Sequence, residues 1–90
     1  MTLDEAYEAA ETACEAYCTA HSRLNALEEV EDLLERAANT GVDSALVVRI
    51  DDVRLDVADA LRVARDELAE AETAWYAACE VRDALEAESK

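Results

Sequence analysis

The chain has no proline and no phenylalanine, and Gly41 is its only glycine in 90 residues. A fold with many tight turns needs those residues at its corners, so a chain this short of them has few turns and the helical class is strongly favoured. Lysine appears once, at the last position, and seven arginines supply the remaining positive charge. No stretch approaches the ~18 consecutive apolar residues of a membrane span. The start, Met1-Thr2-Leu3-Asp4-Glu5, has neither a basic segment nor an apolar core, so no secretory leader is expected. Three cysteines (Cys14, Cys18, Cys79) are an odd number, which argues against a disulfide framework and for a reducing, cytoplasmic setting.

What is abundant is acid and alanine. Asp and Glu number 23 against eight Lys and Arg, a net charge of −15. Such a body attracts cationic surfaces and repels nucleic acid and anionic membrane. The same composition, with little lysine and much alanine, also suits plain solubility in a salty cytoplasm. Of the 52% hydrophobic residues, twenty are alanine, and the larger ones are ten Leu, eight Val and one Ile, so the core is thin. One domain covering residues 1–90 is expected.

Thr2 and Glu5 form a capping-box pattern, and from Leu3 apolar residues recur at three- and four-residue steps. This seam runs Leu3, Ala6, Ala10, Ala13, Tyr17, Ala20, Leu24, Leu27, Leu34 and Ala38, broken by Glu31. Val30, Leu33 and Ala37 flank it. Asn39-Thr40-Gly41 stops the helix, with Gly41 as the left-handed C′ residue. Asp43 or Ser44 caps a second helix, with Val42 and Val47 as a hydrophobic staple. Its seam is Val47, Ile50, Val57, Leu61, Ala64, Leu68, Ala71, Trp75, Ala78 and Leu85, interrupted by Arg54 and Arg82. The β-branched run at 46–50 has no strand to pair with and is read as helix. Asp51 and Asp52 offer a restart that would break the second helix in two.

The expected fold is therefore all-α, an antiparallel coiled-coil-like hairpin: helix 3–38, turn 39–43, helix 44–88. Folded flush at the turn, it pairs residues whose numbers total about 83. That register sets Tyr7 against Trp75 and Tyr76 at the open end and leaves Cys79 about 15 Å from the level of Cys14. Apolar residues off the seam (Val48, Val53, Leu55, Val63, Val81) point to self-association into a bundle.

Cys14, Cys18 and His21 lie within about 60° of one helix face, a soft-ligand row of the kind zinc or copper takes, but a fourth ligand is missing. A Cys18–His21 nucleophile has no oxyanion hole beside it, because the one glycine belongs to the turn. No catalytic residue and no cofactor is assigned, and the chain reads as non-enzymatic. The carboxylates form rows: Asp4, Glu8, Glu11 and Glu15; Glu28, Asp32 and Glu35; Asp52, Asp56, Asp59, Asp66 and Glu70. Like charges four apart cost a few tenths of a kcal/mol each, so the rows need a purpose. Glu28, Asp32, Glu35, Asp52, Asp56 and Asp59 near the turn are the candidate contact patch for a basic partner.

In composition the chain resembles the small acidic anti-CRISPR proteins and other DNA-mimic inhibitors of phage origin. That resemblance implies occupation of a basic nucleic-acid-binding surface on a protein partner, without direct contact to nucleic acid or membrane. In length, hairpin form and acidity it is also similar to WXG100-type substrates of type VII secretion. Tyr76-Ala-Ala-Cys-Glu80 matches their Tyr-x-x-x-Asp/Glu signal, while the turn lacks their Trp-x-Gly. A structural coiled-coil or phage assembly subunit is the third reading, in which the acids are solvated faces.

Overall fold

The computed structural model describes residues 1–41 and 43–90 of the chain. Two helices make up the fold: α1 (Leu3–Ala38) and α2 (Ser44–Glu88). They run antiparallel as a rod of 68 × 16 × 13 Å, and the long dimension matches the ~67 Å of a 45-residue helix. The hairpin expected from the seams is the fold observed.

Local signals act where the sequence places them. The Thr2 hydroxyl accepts from the Glu5 amide at 3.2 Å and the Glu5 carboxylate accepts from the Thr2 amide at 3.4 Å, closing the capping box. The Thr2 hydroxyl also donates to the Glu5 carboxylate at 3.0 Å, and that bond, with the one from the Thr2 amide, holds the Glu5 carboxyl below its usual range. Asp43, not Ser44, caps α2, its Oδ1 accepting from the Leu46 amide at 2.9 Å. The staple partner Val42 lies outside the described residues. Gly41 does adopt a left-handed backbone, φ 77°, but Asn39 is the C-cap, so Gly41 stands one position beyond C′. The end of α1 is closed instead by the Thr40 hydroxyl, which donates to the Ala37 carbonyl at 2.9 Å. No break occurs at Asp51 and Asp52: α2 is one helix, because its seam continues through them without a change of phase.

Every seam residue is buried or half-buried, including the interruptions Glu31, Arg54 and Arg82. Among the described residues only Ala6, Ala10, Ala20, Val57, Leu61 and Ala64 are buried. Three of those six are alanine on α1, so helix contact is close and little apolar area is gained.

The register differs from the flush one. Tyr17 meets Trp75 with ring centroids 5.1 Å apart, and Arg23 Nη1 is 2.7 Å from Glu67 Oε2. Tyr7 donates to the Glu86 carboxylate and lies under the Arg82 guanidinium at 5.7 Å. Facing residue numbers thus total about 90, one heptad more than 83. The aromatic cluster of Tyr17, Trp75 and Tyr76 therefore sits along the rod and does not pin the termini; Tyr7 with Glu86 and Arg82 does that. A shift by seven keeps every seam residue in the seam, so patterning alone does not choose between the two registers. The helices are nearly level at the open end, and roughly the first two turns of α2 project past α1 at the other.

Candidate functional site

A pair of helices has two grooves, one on each side, and here their chemistry differs. On one side Glu28, Glu31 and Asp32 surround a shallow depression with Asn25, Glu29 and Arg65. Next to it toward the turn, Glu31 and Glu35 face Asp51, Arg54 and Leu55. On the other side Ala26, Leu27, Val30, Ala60, Val63 and Ala64 line an apolar groove, closed off at the rim by Arg23, Glu67 and Asp59.

The carboxylates are presented to solvent. Glu31, Glu67, Glu72 and Glu86 are half-buried, which leaves nineteen of the 23 exposed. Only Glu67, Asp32, Asp51, Asp59 and Asp83 have an arginine within 4.0 Å. The other eighteen have no cation that close among the described residues. The pairs that exist are weak: Arg36 is 3.4 Å from Asp32 with both side chains more than 60% exposed, and Arg62 is 4.0 Å from Asp59. Exposed pairs of this kind contribute about 0–1 kcal/mol and yield readily to a better partner.

Of the six candidate contact residues, all exposed, the structure brings together Glu28, Asp32 and Glu35 along adjoining depressions of one side. It does not add Asp52, Asp56 and Asp59 as the other half. Asp59 borders the apolar groove beside Ala60 and Val63, and Asp52 and Asp56 border neither depression. The α2 residue that joins the α1 carboxylates is Asp51, with Arg54 and Arg65 intervening. The sequence signal for Asp51 was its seven-residue spacing from Ala58, which marks the flank of the seam.

Cys14, Cys18 and His21 are not gathered as ligands: no group of three or more Cys, His, Asp or Glu suited to a metal ion occurs among the described residues. His21 Nδ1 instead accepts from the Asn25 amide nitrogen at 3.2 Å, and its ring lies 6.0 Å from Tyr17. The one-heptad shift also brings Cys79 near the level of Cys14, correcting the separation the flush register implied. Burial raises the Cys14 thiol pKa above its usual value, with Cys18 and Cys79 adding to the effect. Among the described residues no helix is long and apolar enough to cross a membrane.

Comparison with known proteins gives no matching family model, no similar curated protein and no similar solved structure.

Proposed function

We propose that the chain is a non-enzymatic acidic binding protein that engages an Arg- and Lys-lined protein surface in place of nucleic acid. The observation that carries this reading is linear charge density. Fifteen net negative charges along 68 Å amount to one per about 4.5 Å, close to the ~3.4 Å per phosphate of a single DNA strand. Of the eighteen carboxylates without a cation close by among the described residues, Glu5, Asp43 and Glu86 hold hydrogen bonds within the chain, and the others can accept guanidinium or ammonium groups with little reorganisation. The contact surface is the side that holds Glu28, Asp32, Glu35 and Asp51.

An immobilised arginine-rich peptide tests this. Affinity falls steeply between low and moderate salt, and duplex DNA competes. Changing Glu28, Asp32 and Glu35 to Gln weakens binding far more than changing Glu8, Glu11 and Glu15 to Gln, which removes equal charge elsewhere. Equal losses in the two variants, or binding indifferent to salt, would refute the proposed surface.

A further inference from the structure

The thiols are the groups that the acidic reading leaves unused, and helix register puts two of them face to face. Tyr7 of α1 touches Glu86 of α2. In an antiparallel pair, each seven-residue step forward on α1 is matched by a seven-residue step back on α2, and the partners stay on one side. Glu28 with Arg65 and Glu35 with Ala58 are later members of this series, and each pair lines a common depression. Cys14 and Cys79 are the member next to Tyr7 and Glu86. Cys14 directly follows the seam residue Ala13, and Cys79 directly follows the seam residue Ala78, so both thiols flank the seam on the same side. Both are half-buried, whereas Cys18 is exposed.

The surroundings suit a bond between them. Ala6 and Ala10 are buried in this part of the seam, and Ala13 and Ala78 are the seam residues beside the two thiols, so small side chains let the backbones approach closely. A disulfide needs that approach, with Cβ atoms about 3.5–4.5 Å apart. Cys18 is not an equal partner for Cys14. Residues four apart on one helix hold their Cβ atoms about 5–6 Å apart, outside the disulfide range, so those two bridge only if the helix bends. The Cys14 thiol pKa is raised by burial first and then by Cys18 and Cys79, as expected of thiols gathered at one level of the rod.

We propose that Cys14 and Cys79 form a reversible disulfide between the helices when the protein meets hydrogen peroxide. The O–O bond of peroxide breaks on the Cys79 thiolate, which becomes a sulfenic acid while hydroxide leaves. The Cys14 sulfur then attacks the Cys79 sulfur, so the S–S bond forms, the S–O bond breaks and water departs. Two thiols give up two electrons and two protons, and one peroxide becomes two waters. Burial holds the Cys14 thiol protonated, which leaves the first reaction with peroxide to Cys79. In a reducing compartment such a bond is transient, and a thiol reductant restores both groups. The bond joins the helices one layer in from Tyr7 and Glu86. It forbids the seven-residue slide that seam patterning permits, and it turns a hairpin with a thin core into a cross-linked rod.

Peroxide treatment of the purified chain, followed by mass spectrometry, tests this without mutation. Cleavage after glutamate separates Cys14, in residues 12–15, from Cys18, in residues 16–28, and leaves Cys79 in residues 73–80. The expected product is 12–15 disulfide-linked to 73–80, formed within a single chain and lost on adding a thiol reductant. Oxidation raises Tm by roughly 10–20 °C, because the bond closes a long loop. Cys18→Ser keeps the linkage and the rise; Cys14→Ser and Cys79→Ser lose both, with circular dichroism reporting whether each variant keeps its helices. Absence of the linkage from 12–15 to 73–80, a linkage from 16–28 in its place, or a bond found only between two chains overturns the proposal. A linkage that leaves Tm unchanged refutes the lock.

Discussion

Replacing Leu61 with alanine removes the one large side chain that the hairpin encloses fully, at 1% exposure. Its neighbours in the buried set are mostly alanine, and alanine cannot move far enough to refill the space. A Leu→Ala change at such a site costs about 3 kcal/mol, the transfer term plus the cavity left behind. A 90-residue domain has roughly 5–13 kcal/mol of stability in total. The variant therefore loses roughly a quarter to three-fifths of it, a drop in Tm of about 12–24 °C. Urea and thermal unfolding followed by circular dichroism, at one fixed protein concentration, measure the effect. Leu55→Ala is the control, since Leu55 is 69% exposed on the carboxylate side. If the two variants lie within about 0.5 kcal/mol of each other, Leu61 is not the centre of the core and the seam argument fails.

Register has its own test: a double-mutant cycle between Tyr17 and Trp75 gives a coupling of about 0.5–1.5 kcal/mol, and one between Tyr7 and Trp75 gives none. The capping box predicts pH dependence. The folded-state pKa of Glu5 is depressed by its bonds to Thr2, so its contribution is present above the unfolded pKa and is lost as pH falls through the lowered folded value. Thr2→Ala removes that part of the acid titration and about 1 kcal/mol of stability. Alkylation mapped by mass spectrometry at neutral pH modifies exposed Cys18 before half-buried Cys14, whose thiol is held protonated by burial; the reverse order contradicts the seam. Moderate salt raises Tm relative to low salt, because screening relieves repulsion among eighteen unpaired carboxylates; a flat response would show that the rows do not interact.

The helices, their ends and their inward faces were legible in the chain. Apolar spacing chose the seam residues, and even Glu31, Arg54 and Arg82 hold the seam positions that spacing gave them. Thr2 and Asp43 marked the helix starts because each side chain accepts a bond from a first-turn amide, whereas Gly41 marked only the turn, one position beyond the C′ residue. These are local effects, decided within one turn of the residue concerned. Which heptad of α2 faces which heptad of α1 is not local. A slide of seven residues returns each seam residue to the seam, so the choice rests on how Tyr17 fits Trp75 and Arg23 reaches Glu67 across the pair. That slide brought Cys79 near the level of Cys14; it leaves each residue on its own face, so Asp59 is kept from Glu28, Asp32 and Glu35 by the side of the rod it occupies. The two-sided character of the rod arose in the same way. The acid count was legible in the sequence, but only helix against helix set Glu28, Glu31, Asp32, Glu35 and Asp51 along one side near the turn and Ala26, Val30, Ala60 and Val63 along the other.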